Sequence, residues 1–325
     1  MLSTPSLKPV LTDRHAAIRR AVTPLPGSQP RDHFKPLNIP GDCDGLTLLA
    51  ALKRMVGNML VAEWQAEFAI GRVVNLEQKA VAATQIVRAG QRYQHLFPNV
   101  TEPAVNGAVE ILHEDEALIV VNKPAPLPMH AGGRFYHNTL QHILNAAYHP
   151  QTPHPAHRLD ANTTGLVLVA RTRSFAGRLQ AQFAQGRVEK TYLIRVPSQL
   201  PEDEFHCDAP ISAGSGKQCS RTVDLANGLA ARTEFRVLRR LTDGTNLLEA
   251  RPLTGRTNQI RVHLWHLGFP VCGDPTYLPG QRLGRTQTLA VDDPPLCLHA
   301  VQAKFLHPLS LEPVEFTAPL PAWAK

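Results

Sequence analysis

At 325 residues, with 43% hydrophobic and 19% charged side chains, the chain has the length and composition of a globular protein of about two domains, and no run approaches the roughly 20 apolar residues that a membrane helix needs. Its net charge of +7 favours a polyanionic partner through phosphate contacts and electrostatic steering, and fits a plain basic protein equally well. Cys43, Cys207, Cys219, Cys272 and Cys297 are odd in number and form no CxxC pair, which argues against a disulfide framework or zinc ribbon and for reduced thiols; with no signal-peptide core at the N-terminus, the cytoplasm is the expected location.

Residues 1–43 are expected to form a basic, proline-rich arm: the first 40 carry seven prolines and a formal charge of +4, six Lys/Arg against two Asp. Such a stretch orders where it lies on protein or RNA, or serves as a plain linker. Residues 44–104 have the pattern of a small α/β domain. Leu46, Leu48, Leu49, Leu52, Met55 and Val56 recur at helical spacing, a second helix is expected over 61–70, and Gly71-Arg72-Val73-Val74-Asn75 turns into a strand. The main domain, 105–325, opens with a buried strand at 117–121, broken by Pro124, Pro126 and Pro128, since proline cannot donate to a ladder. Helix 139–148, with Leu140, Ile143, Leu144 and Ala147 on one face, precedes strand 166–170, helix 174–184 capped by Ser174, and strand 191–196. Further strands are expected at 233–238, 246–251 and 300–306, a last helix at 257–267, and a long loop at 278–295. This order implies an α+β fold with a mixed, largely antiparallel sheet and flanking helices.

The segment His157-Arg158-Leu159-Asp160-Ala161-Asn162-Thr163-Thr164-Gly165-Leu166 puts one carboxylate between an arginine and a polar turn, just ahead of an apolar strand. Glycoside hydrolases use two carboxyl groups. Residues 154–170 contain only Asp160, and the next acid downstream is Glu189. A lone carboxylate fits a glycosidic bond that is exchanged without net hydrolysis, as when a uridine base leaves through N1 and rejoins through C5, a reaction needing no activated water and no cofactor. Taken alone, Arg-Leu-Asp more often ends a loop and caps a turn with Asn162 and Thr163. Arg256 and Arg261, in Leu253-Thr254-Gly255-Arg256-Thr257-Asn258-Gln259-Ile260-Arg261-Val262-His263-Leu264, project from different faces of a helix. Tyr192, in Lys190-Thr191-Tyr192, offers an aromatic ring on a strand. The fifteen histidines lack ligand spacing, so no metal is expected. Gly214-Ser215-Gly216-Lys217 lacks the frame of a phosphate-binding loop and is expected to be a solvated hairpin tip.

Together these motifs resemble the RluA-type pseudouridine synthases, whose signatures are HRLDxxTSGL and TGRTHQIRVHL, with Asn258 here in place of His and Thr164 in place of Ser. Val120-Val121-Asn122-Lys123-Pro124, Ala231–Phe235, Gly268–Asp274 and Leu298-His299-Ala300 also fit in order, spanning about residues 110–320. Ala125-Pro126 departs from the usual Ala-Gly. The resemblance implies that Asp160 is nucleophile or base, that Arg261 pairs with it, and that Tyr192 stacks on the flipped uracil or takes the C5 proton. It also implies that Arg158 fills the vacated stack, that His157 touches a phosphate or makes a structural hydrogen bond, and that Lys190 and Arg256 hold RNA. The implied enzyme is a cofactor-free monomer acting on structured RNA. Residues 44–104 resemble a divergent S4 RNA-binding domain, with Glu63 and Glu67 where that family carries basic residues. This leans towards ribosomal RNA, while 132–139 resembles a segment of tRNA-modifying relatives. The competing classes are a non-catalytic RNA-binding factor on the same fold and a nucleosidase releasing uracil.

Overall fold

The computed structural model describes residues 7–57, 59–197, 200, 202–214 and 220–325. The expected hairpin tip at 214–217 lies outside them from Ser215 onward, as does Cys219. The chain divides into two compact units: residues up to Pro26 together with Pro103–Lys325, and Gly27–Glu102. This differs from the sequence expectation of an irregular arm followed by two successive domains. The arm is split. Leu7–Ala21 is helix α1 and packs Leu11, Ala17 and Ile18 on the core of the larger unit, whereas Arg31–Asn38 is strand β1 of the smaller one.

In the smaller unit β1 pairs antiparallel with β3 (Arg92–Val100), which pairs with the short β2 (Val73–Val74). Helices α2 (Leu48–Met55) and α3 (Val61–Ala69) close it, and Thr47 caps α2 by accepting from Ala50 N–H. The glutamates of α3 have local partners. Glu63 accepts from Leu60 N–H at the start of the helix, and Glu67 lies 2.8 Å from the His95 ring.

The larger unit is built on one sheet whose described strands run β4 (Glu110–Glu114), β5 (Leu118–Lys123), β7 (Thr164–Ala170), β14 (Leu298–Leu306), β8 (Glu189–Val196), β11 (Asn246–Pro252), β10 (Thr233–Arg240) and β9 (Glu204–Cys207). Among the described strands only β7–β14 is parallel, so the sheet is mixed and largely antiparallel, as expected. The short β6 (His154–Pro155) pairs with β7, and β15 (Pro313–Thr317) with β14. Both faces of the sheet are covered. Ile119, Val121, Val167 and Val169 face α4 (Leu140–Ala147) and α1, while Leu118, Val120, Leu166 and Leu168 face α5 (Arg173–Ala184). That two-sided burial explains why β5 and β7 are continuous apolar runs rather than alternating ones. The cap of α5 is Thr172, which accepts from Phe175 N–H, and not Ser174. The last helix, α6, spans Gln259–His266, and the expected 278–295 loop contains the two-residue strands β12 (Tyr277–Leu278) and β13 (Arg282–Leu283) in part.

Gly165 sets how closely β7 can approach β14. Its φ is +109°, and a Cβ there would lie 2.2 Å from the Ala300 carbonyl oxygen. Only glycine reconciles that backbone with that proximity, and it does so five residues after Asp160.

Candidate active site

The loop between β6 and β7 carries Asp160 into a cleft of about 530 Å³ lined also by Arg158, Lys190, Tyr192, Arg256 and Arg261. Main-chain bonds hold the loop. Ala161 C=O accepts from Leu127 N–H at 2.8 Å and from the buried Lys123 Nζ at 3.2 Å. Lys123 Nζ also donates to the carbonyls of Pro124 and Leu127, each at 2.9 Å. Three acceptors match the three protons of an ammonium. Burial pulls the Lys123 pKa down to about 7, against the opposing pull of the Asp160 charge.

Arg261 projects from α6, whose first turn is assembled by Gln259. The Gln259 amide donates to Arg232 C=O and Thr233 Oγ1 and accepts from Arg256 N–H and Thr254 Oγ1. Asn258 precedes the helix at φ +57°, a left-handed conformation that asparagine tolerates better than most residues. From there the Asn258 amide accepts from Arg261 Nη1 at 3.3 Å and donates to the Tyr277 hydroxyl at 3.0 Å.

The guanidinium is shared between two carboxylates. Nη1 donates to Asp160 Oδ2 at 3.0 Å, while Nε and Nη2 form a bidentate pair with Asp274 at 2.7 and 2.8 Å. The Asp274 side chain is fully buried. It accepts two further bonds, from Thr276 N–H and Tyr277 N–H. Asp274 is therefore saturated and orients the arginine, leaving one guanidinium edge for Asp160, whose side chain is 21% exposed at the cleft. Opposed charges on both sides hold Arg261 protonated despite its burial, and its Cζ lies 4.9 Å from the centroid of the Tyr277 ring. The sequence motif around Gly273-Asp274 contained this partner, but nothing in the spacing assigned it a role.

Tyr192 sits on β8 opposite Ala250 of β11 and Ala300 of β14. Two methyl groups beside one large ring leave space above it. Burial, then the Asp160 charge, pushes the Tyr192 hydroxyl pKa well above the usual phenol range, which keeps it protonated. Lys190 Nζ donates to Thr254 C=O at 3.3 Å and burial lowers its pKa. Arg256 is exposed and donates through Nε to Ala230 C=O, and Arg158 is exposed beside Asp160. His157 Nε2 accepts from Leu168 N–H at 3.0 Å. Of the two roles expected for His157, the structural hydrogen bond is therefore present, and its ring packs on Phe183 at 4.6 Å. His263 bonds to Thr233 Oγ1 and Ala209 C=O within α6 packing.

Residues 117–266 match the family model described as RNA pseudouridylate synthase. The chain is 34% identical over 307 residues to ribosomal large subunit pseudouridine synthase D of Nitrosomonas europaea, covering 91% of this chain and 87% of that protein. It is 36% identical over 218 residues to pseudouridylate synthase RPUSD2 of Homo sapiens, covering 67% of this chain and 39% of that protein. RNA pseudouridine synthase 7 of Arabidopsis thaliana is 34% identical, with 70% of this chain and 62% of that protein covered. The chain thus spans less than two thirds of these two eukaryotic relatives and most of the bacterial one. Among solved structures, human RNA Pseudouridylate Synthase Domain Containing 4 superposes with a TM-score of 0.53 at 28% identity, covering 66% of this chain and 89% of that one.

Proposed function

This chain belongs to the RNA pseudouridylate synthase family, and on that premise we propose that it isomerises uridine to pseudouridine in structured RNA, with Asp160 as the catalytic carboxylate. The observation that carries the assignment is the Asp160–Arg261–Asp274 chain of charge-assisted bonds at the floor of the cleft. It keeps one carboxylate oriented, partly solvated and paired, as a nucleophile or base at C1′ requires. The target base must leave the stack to reach it. Arg158, exposed beside Asp160, fills the space left behind, and Tyr192 stacks on the uracil, an interaction worth about 1–3 kcal/mol per base. Tyr192 supports the base through its ring, and its hydroxyl is the candidate acceptor of the C5 proton. The N1–C1′ bond breaks, the base turns, the C5–C1′ bond forms, and one proton moves from C5 to N1. The atoms balance without water, metal or cofactor.

Large-subunit ribosomal RNA is the substrate class we favour, since the printed name of the bacterial relative with the fullest coverage says ribosomal large subunit. We assign residues 44–104 an S4-like role in holding that RNA, Lys190 and Arg256 contacts at the cleft, and action as a cytoplasmic monomer. No described helix is long and apolar enough to cross a membrane.

The test uses RNA tritiated at uridine C5. The wild-type protein releases tritium and Asp160→Asn does not. Release by Asp160→Asn at the wild-type rate overturns the catalytic assignment, and free uracil in the supernatant identifies a nucleosidase instead. Mapping of pseudouridine across total RNA from a deletion strain separates ribosomal from transfer RNA.

A further inference from the structure

The segment after Asp274 leaves the core and returns to the catalytic loop by a route the sequence pattern did not anticipate. From Leu278 to Val291 it carries Arg282 and Arg285 and no acidic residue, the first acids being Asp292 and Asp293. Residues 281–283 and 285–287 are exposed. Arg282 makes one bond, to the nearby Pro279 C=O, and the Arg285 guanidinium has no partner among the described residues.

The backbone beneath these side chains is firmly tied. Gly284 N–H donates to Thr276 C=O at 2.7 Å, and Thr276 Oγ1 donates to Thr286 C=O at 3.1 Å. Gln281 donates to Trp265 C=O at 2.8 Å. The last tie is Asn162, two residues from Asp160. Its buried amide donates to Gln287 C=O at 2.7 Å and accepts from Leu289 N–H at 3.0 Å, as a neighbouring strand would. The segment is thus attached at one end to the residues that hold Asp274 and at the other to the loop that holds Asp160.

We propose that residues 281–287 form an RNA-backbone-binding strap, in which Arg282 and Arg285 take phosphates flanking the target nucleotide while Asn162 locks the strap to the catalytic loop. This rests on the RNA reading above. Two exposed guanidinium groups on a tied backbone, with no competing carboxylate on the strap, suit a polyanion that must pass the cleft rim. The strap reads no sequence. It fixes register, so that the nucleotide between the held phosphates is the one presented to Asp160.

The test compares the full chain with Arg282→Ala/Arg285→Ala, and with Arg178→Ala/Lys304→Ala as a control that removes the same charge from exposed positions elsewhere. Binding of a fluorescein-labelled single-stranded RNA of about 20 nucleotides is followed from about 50 to 200 mM salt. Loss of two phosphate contacts flattens the log–log salt slope by about 1.4. That flattening in the strap variant alone supports the proposal. An unchanged slope overturns it, and so does equal flattening in the control. The binding measurement does not depend on isomerisation, so a wild-type protein that binds but releases no tritium refutes the catalytic assignment and leaves the strap separately decided.

Discussion

At the scale of single residues, the two carboxylates on Arg261 are predicted to behave oppositely. Asp274 is fully buried and accepts four donors. Asp274→Asn replaces one acceptor oxygen with a donor aimed at a guanidinium or a backbone N–H, leaving a buried cation without its main counter-charge. Breaking such a pair costs about 3–5 kcal/mol, read as a lower urea midpoint, and turnover falls with it. Asp160→Asn leaves Arg261 neutralised by Asp274, so its stability should stay within about 1 kcal/mol of wild type while turnover is lost. Equal destabilisation by both variants would refute this division of labour. A second prediction concerns His157. Its Nε2 accepts a backbone N–H and so carries no proton, and burial, then the Lys190 charge, lowers its pKa to about 4 from the ordinary 6.5. Burial does the same to His299, also to about 4. Between pH 6.5 and 4 the unfolded chain binds more protons than the folded one. Stability is therefore fully present above about pH 6.5 and declines as pH falls towards 4. In His157→Gln the amide oxygen can accept the same N–H without titrating, so urea midpoints between pH 7 and 4.5 should fall less steeply than in wild type. Coincident slopes would mean that another group carries the effect.

At the scale of elements, what was legible in the sequence is what two-sided burial writes into it. Strands β5 and β7 are continuous apolar runs, α4 shows a clear apolar face, and both coincide with the expected spans to within a few residues. Elements missed by pattern sit at edges or depend on distant partners. Strand β1 contains Pro36 and alternates poorly, yet it is an edge strand of its sheet, where a missing N–H is tolerated. Strands β4 and β15 are short and half-exposed, so no apolar signal marks them. Asp160, Tyr192, Lys190, Arg256 and Arg261 were each nameable from their motifs, and the fold brings them to one cleft. Asp274 and Asn162 were not, because their roles arise from contacts 13 and 125 residues away in sequence. The Asn162 tie is itself predictive. In Asn162→Asp, a carboxylate oxygen faces the Gln287 carbonyl oxygen that the amide formerly satisfied. The strap should loosen, trypsin should cut after Arg282 or Arg285 faster than in wild type, and turnover should drop. A cooperative urea transition and an unchanged far-UV circular dichroism spectrum at neutral pH distinguish this local repulsion from general misfolding. Unchanged cleavage rates at neutral pH would count against the tie.

At the scale of the whole molecule, the larger unit is discontinuous in sequence, and α1 is the piece that makes it so. Arg14 forms two bonds of 3.1 Å with Glu114, donates to Ala147 C=O at 2.7 Å, and stacks 3.7 Å over the Tyr148 ring. Glu114 is further held by the Tyr148 hydroxyl at 2.7 Å and by Arg171. His15 Nε2 accepts from Ile111 N–H at 2.9 Å, which occupies part of the open edge of β4, a surface that sheets otherwise leave ready for aberrant pairing. A helix from the extreme N-terminus thus completes a core built from residues beyond 103. Residues 27–102 are an insertion whose ends meet: Glu102 N–H donates to Gly27 C=O at 3.0 Å, and a Cβ on Gly27 would lie 2.6 Å from the Glu102 side chain. Because the ends are adjacent, replacing 27–102 with a few Gly/Ser residues adds little loop-closure entropy. That protein should unfold in one transition at a temperature near that of the larger unit in the full chain. Deleting residues 1–26 should do the reverse. It uncovers Val109, Ile111 and Ile143, removes buried Ile18, and strips Glu114 of one of its two arginines. Loss of a large core side chain alone costs about 2–5 kcal/mol, so the truncated chain should melt well below the excised one by calorimetry. The opposite order, with the excision harmful and the truncation benign, would mean that α1 decorates the catalytic unit instead of completing it.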